Sequence, residues 1–281
     1  FNNQSTTSAG TITNWNWNFS GGVTSNQQNP TYTFVNAGTY NVLLTATASN
    51  GCTDTASGQV VINALPVAQF TVSPGCVGSA ITINNTSGPV AGSTWLWNFG
   101  NGTTSTLQNP TVTYSTPGTY NITLTVTNAA GCTSTRTVAV TINALPTAAF
   151  TTGPVACQNT SLQFNNVSTA GSGVITSNAW NFGNGQTSTA LNPSVTFATP
   201  GNYNVSLTVT NSNGCSATVI HNVAINPTPV ASAGGPQAVC LGGTTTLFAS
   251  GGTSYVWSPG GQTSSSITVT PTNTSTYTDV V

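Results

Sequence analysis

One phrase of sequence recurs three times in this chain and sets what it can fold into. Trp17 opens Trp-Asn-Phe-Ser-Gly-Gly, and Trp97 and Trp180 each open Trp-Asn-Phe-Gly-Asn-Gly. The three tryptophans stand 80 and 83 residues apart, and other landmarks keep the same order and period. These are Asn-Pro (29–30, 109–110, 192–193), Gly-x-Tyr (38–40, 118–120, 201–203) and Gly-Cys (51–52, 131–132, 214–215). A fixed period of this length means tandem copies of one small domain rather than one large one.

The residues between the landmarks alternate. In 66–145, Ala68, Phe70 and Val72 form one apolar series and Ile81 and Ile83 a second. Trp95, Trp97 and Phe99 face one way while Leu96 and Asn98 face the other; Val112 and Tyr114 follow after Asn109-Pro110. Tyr120, Ile122, Leu124 and Val126, then Val138, Val140 and Ile142, complete the set. Period-2 alternation marks half-buried strands. Gly-rich and Pro-Gly punctuation, including a loop at Gly88-Pro89, supplies the turns. No stretch reads as a helix, so about seven short strands in about 80 residues predict an all-β, two-sheet sandwich. Trp17, Trp97, Trp180 and Trp257 are expected in the cores, and Tyr40, Tyr120 and Tyr203, each after a Gly corner, as tyrosine-corner residues.

Charge is almost absent: Arg136, Asp54 and Asp279 are the whole inventory of Lys, Arg, Asp and Glu, 1% of the chain. A typical soluble domain carries roughly a quarter. With Arg136 as its single Lys or Arg the chain cannot neutralise phosphates, which excludes nucleic-acid binding and attachment to anionic membranes. No apolar run of about 18 residues is present to insert into a membrane. A surface of hydroxyls and amides also lacks electrostatic repulsion, which favours self-association between identical chains.

Catalysis finds no material. Acid–base chemistry needs paired carboxylates or a histidine beside a nucleophile. Asp54, His221 and Asp279 fall in different repeats, and His221 reads as an ordinary strand residue. The chain is expected not to be an enzyme and to hold no cofactor. Zinc is excluded by the absence of any Cys-x-x-Cys pair and the near absence of histidine.

The run Trp97-Asn98-Phe99-Gly100-Asn101-Gly102, then Asn109-Pro110 and Pro117-Gly118-Thr119-Tyr120-Asn121-Ile122-Thr123-Leu124-Thr125-Val126-Thr127-Asn128, closely resembles the PKD (polycystic kidney disease) domain family. That family's hallmark is Trp-Asp-Phe-Gly-Asp-Gly. The resemblance covers nearly all of 1–225, while 228–281 looks like a divergent Ig/PKD-like relative of Bacteroidetes surface arrays. It implies tandem Ig-like sandwiches in a rod-like array, placed outside the cell through secretion, often by the type IX route. The expected domains are 1–65 (lacking its first strand), 66–145, 146–226 and 227–281 (divergent, C-terminally incomplete), a window in a longer array. Here the hallmark aspartates are asparagines: Asn18, Asn98, Asn101, Asn181 and Asn184. Asparagine keeps the turn chemistry but gives up the carboxylates a calcium site relies on, so no metal site is expected.

The six cysteines form two classes. Cys76, Cys157 and Cys240 follow the first strand, and Cys52, Cys132 and Cys215 precede the last. Outside the cell they would be oxidised. Two schemes stand side by side: pairs within a repeat (Cys76–Cys132, Cys157–Cys215), or a staple between repeats, Cys76–Cys215. In the second, Cys52, Cys132, Cys157 and Cys240 pair outside this window or lack partners. The connectors 63–66, 143–146 and 226–229 are short and proline-bearing, which argues for stiff joints.

Trp15 and Trp95 lie two residues before a core tryptophan, where repeat 3 has Asn178. They are candidates for glycan contact on a partly exposed surface. Asp54-Thr55-Ala56 resembles a Bacteroidetes O-glycosylation signal, which makes Thr55 a candidate acceptor. The function expected is that of an extracellular structural protein: part of a surface fibre, adhesin or filament subunit, touching identical chains or surface polysaccharide. The alternative is a set of spacer or carbohydrate-binding modules of a secreted glycosidase or protease.

Overall fold

A computed structural model describes residues 1–88, 91–154 and 156–281, so Pro89 of the Gly88-Pro89 loop lies outside the described residues. Every regular element among them is a strand. Two compact units divide the chain, Phe1–Ala144 and Leu145–Val281.

The first unit opens with β1 (Ile12–Asn18), β2 (Thr24–Ser25), β3 (Gly38–Ala48) and β4 (Thr53–Ile62), which form one sheet in the order β2-β1-β3-β4. It continues with β5 (Phe70–Val72), β6 (Gly75–Cys76), β7 (Ala80–Asn85), β8 (Thr94–Asn98), β9 (Thr104–Ser105), β10 (Thr111–Thr113), β11 (Gly118–Thr127) and β12 (Thr133–Asn143). These make a sandwich of a three-stranded sheet, β10-β7-β5, and a five-stranded sheet, β6-β12-β11-β8-β9. The expected alternation appears as burial. Ile122, Leu124 and Val126 of β11 are fully enclosed together with Trp97 and Ile83. The intervening Asn121, Thr123, Thr125 and Thr127 stand on the outer face, as the pleat requires. Phe70 meets Trp97 edge-on at 5.1 Å, an arrangement favoured by the ring quadrupoles.

The second unit repeats this plan. β13 (Phe150–Thr152), β14 (Ser161–Asn166) and β17 (Ser194–Thr196) form one sheet. β15 (Ile175–Asn181), β16 (Thr187–Ser188), β18 (Gly201–Asn211) and β19 (Ser216–Ile225) form the other, in the order β16-β15-β18-β19. The last segment holds β20 (Ser232–Ala233), β21 (Thr245–Ser250), β22 (Val256–Ser258), β23 (Ser266–Val269) and β24 (Thr278–Val280), packed about Trp257, Ile267 and Val269.

The four repeat tryptophans are buried, at 7% exposure or less. Trp97, Trp180 and Trp257 each donate the indole N–H to a backbone carbonyl, of Leu107, Ala190 and Ser264, at 2.9 Å. The corner tyrosines close on the backbone four residues upstream: Tyr40 donates to Asn36 O, Tyr120 to Thr116 O and Tyr203 to Thr199 O.

Candidate functional site

Three features recur from repeat to repeat: the asparagine turn, the threonine face and the cysteine poles. In the turn, Gly100 N–H donates to Asn98 Oδ1 at 2.9 Å and Thr103 N–H to Asn101 Oδ1 at 3.0 Å. Repeat 3 reproduces both bonds, Gly183 to Asn181 and Gln186 to Asn184. The asparagines therefore cap the turn without a carboxylate. Gly100 fits the turn because its φ is +74° and a Cβ would lie 2.8 Å from Asn121 O. Repeat 1 places Ser20 there at φ 76°, and its hydroxyl donates to Asn41 O at 2.8 Å, turning the close approach into a hydrogen bond.

The outer face of each long hairpin carries threonines in cross-strand pairs. Thr123 and Thr137 share a hydroxyl contact of 2.9 Å, and Thr125 and Thr135 one of 3.4 Å. In repeat 3 the pairs are Thr208–Thr218 at 2.8 Å and Thr210–Ser216 at 2.9 Å. In repeat 1, Thr45 stands opposite Thr55 and Thr47 opposite Thr53. The result is a grid of hydroxyls and methyls spaced about 4.8 Å between strands and about 7 Å along them.

Thr55, the candidate acceptor, is exposed on that face, and its N–H donates to Asp54 Oδ1 at 2.8 Å. Trp15 and Trp95 are half-buried and pack on the cores of their repeats. Their indole nitrogens are enclosed without a hydrogen-bond partner. His221 is exposed on β19, its ring 4.5 Å from that of Phe150.

Cys76 and Cys215 are disulfide-bonded, whereas Cys52, Cys132, Cys157 and Cys240 are free thiols. Pairing within a repeat, one of the two schemes, is therefore not what the structure holds. The reason is pole geometry. Cys76 pairs with Asn143, the last residue of β12, while Cys132 precedes its first. Eleven residues of strand separate the two ends, about 37 Å at 3.4 Å per residue. A disulfide needs Cα atoms within about 7 Å. Repeat 3 has the same plan: Cys157 bridges Asn226 at the far end of β19, and Cys215 precedes its start.

The inner face of the β1-β3-β4 sheet in repeat 1 is uncovered over about 620 Å³ at Trp17, Val42, Leu44, Ala46, Ala56 and Val60, with Asp54 at its side, in keeping with the first strand expected to be lacking from 1–65. In repeat 2 the space above the corresponding tryptophan is filled by Phe70. Among the described residues no three His, Cys, Asp or Glu side chains gather into a metal-holding group. No helix among them is long and apolar enough to cross a membrane.

A sandwich of this plan, with an aromatic-anchored turn after the core tryptophan, defines a class of Ig-like β-sandwich modules. The chain belongs to the PKD domain family, whose model matches residues 1–62, 63–142 and 143–225. It is 43% identical over 91 residues to the pre-pro-metalloprotease PrtV of Vibrio cholerae, covering 31% of this chain and 10% of that protein. It is 41% identical over 90 residues to a microbial collagenase of Vibrio alginolyticus, covering 31% and 11%. The PKD1 domain of Vibrio anguillarum Epp, a solved structure, is 34% identical, with 31% of this chain and 99% of that chain covered and a TM-score of 0.29. The chain thus spans about a tenth of the length of the curated relatives it matches.

Proposed function

We propose that this chain is a non-enzymatic, extracellular structural array: a length-setting stretch of a surface fibre, adhesin or filament. The observation that carries this reading is the uncharged threonine face repeated on successive domains. Such faces pair laterally through hydroxyls and methyls with nothing to repel them, and their regular spacing lets one contact be repeated along the chain. Contacts to surface polysaccharide would use the same hydroxyl chemistry, with Trp15 and Trp95 offering ring surface, and Thr55 is the acceptor for glycan attachment.

The cystine is the mechanical part of the proposal. In this reading it joins Cys76 to Cys215, a staple between the second and third repeats that makes the array rod-like. Its support is the oxidised state of both residues and their positions. Cys76 sits at the pole where the chain leaves repeat 2, and Cys215 beside the hairpin at the pole where it enters repeat 3. Disulfides persist in oxidising compartments, which agrees with placement outside the cell. A second reading, spacer or binding modules of a secreted hydrolase, draws on the protease and collagenase relatives.

Self-association tests the first reading. Sedimentation of the purified chain is expected to give the same assemblies from 0.01 M to 1 M salt, although the screening length falls from about 30 Å to about 3 Å. Replacing Thr135 and Thr218 together by lysine should dissolve them. Assemblies that salt dissolves, or that ignore the two lysines, would contradict the proposal.

A further inference from the structure

We propose that Asn101 is a self-deamidating site, activated by its own turn. The chain holds four Asn-Gly pairs, 50–51, 101–102, 184–185 and 213–214. All four glycines share a left-handed φ between +79° and +87°. A Cβ placed on any of them would meet nothing within 4 Å, while the amides of Gly51 and Gly214 are tied down by donation to Ala48 O and Asn211 O. Asn-Gly is the pair in which the backbone nitrogen that follows the asparagine reaches the side-chain carbonyl most freely, because glycine adds no Cβ.

Asn101 differs from the others in what its amide oxygen accepts. Thr103 N–H donates to Asn101 Oδ1 at 3.0 Å, and the Thr103 hydroxyl donates to the same oxygen at 2.6 Å. Asn184 occupies the same turn, with Gly185 at the same φ of +87° as Gly102, but Gln186 follows and supplies the N–H alone, at 3.0 Å. Asn50 likewise receives one bond, from Cys52 N–H at 3.1 Å.

The reaction places charge where those donors point. The deprotonated Gly102 nitrogen attacks Asn101 Cγ, and the new N–Cγ bond pushes electrons onto Oδ1. Two donors aimed at that oxygen stabilise the tetrahedral intermediate, as in an oxyanion hole. The intermediate collapses by breaking Cγ–Nδ2; the nitrogen leaves as ammonia after taking up a proton, and a succinimide remains. Water opens the ring to aspartate or isoaspartate. The net change is amide plus water to carboxylate plus ammonium. One conversion adds a negative charge to a chain whose formal net charge is −1. The aspartate product keeps both acceptor bonds and hence the turn, while isoaspartate lengthens the backbone between β8 and β9.

The test incubates the whole native chain at mildly alkaline pH in heavy-oxygen water, then digests it with chymotrypsin and follows each Asn-Gly peptide by mass spectrometry. Asn101 is expected to convert on the order of 10-fold faster than Asn184, less than the 10²–10³ of a buried oxyanion donor because the turn is exposed to water. Thr103→Val should slow Asn101 to the rate of Asn184, and Gln186→Thr should accelerate Asn184 by a similar factor. In strong denaturant the two sites should converge. Equal native rates, a difference that survives denaturation, or a faster Thr103→Val variant would each overturn the proposal; the last would mean that the hydroxyl restrains the amide instead of activating it.

Discussion

Tyr114 shows how one residue ties local chemistry to stability. Its ring is buried beside Tyr120, with centroids 4.1 Å apart, and its hydroxyl donates to Phe99 O at 2.9 Å. Burial first, and the neighbouring Tyr120 second, raise its pKa above the ordinary 10.0. A phenol that resists ionisation in the folded state, but ionises normally when unfolded, gives stability that is fully present below pH 10 and lost as pH rises toward the folded value. Repeat 2 should therefore weaken above about pH 10, read by near-ultraviolet circular dichroism against denaturant, and Tyr114→Phe should remove that component. The same variant strands Phe99 O in the core at neutral pH, at a cost of about 1–3 kcal/mol. Repeat 3 carries Phe197 at this position and should show no such slope.

At the scale of the element, the turn after the core tryptophan decides whether β8 and β9 pair. Gly100→Ala forces a Cβ toward Asn121 O and a left-handed φ on alanine, and is expected to cost about 1–3 kcal/mol. Gly102→Ala, with open space around it, should cost about 1 kcal/mol. Equal losses in thermal denaturation would contradict that distinction. The long strands and buried tryptophans were legible in the sequence because burial on one face of a strand imposes period 2, and three copies showed it in register. The two-residue strands β6 and β9 were not, because two residues cannot display alternation. Ser20 in a glycine's conformation was also hidden, since its rescue by Asn41 O depends on a neighbouring strand. For the cysteines, two classes could be read, but the length of β12 separates the poles and removes the within-repeat pairs. Peptide mapping under non-reducing conditions should accordingly find neither Cys76–Cys132 nor Cys157–Cys215.

Over the whole molecule, the same small sandwich is used again with the same uncharged outer face, and function is assigned to the repetition rather than to any single cleft. The PKD membership and the fold stand on the repeat signature and the sheets; the fibre or adhesin role is the proposal built on them. Its most direct test is electron microscopy of native, unreduced protein, repeated after reduction. Regular fibres or straight rods are expected before reduction, and more flexible particles afterwards, as a joint-spanning cystine is opened. Flexible chains from the outset, unchanged by reduction, would contradict it.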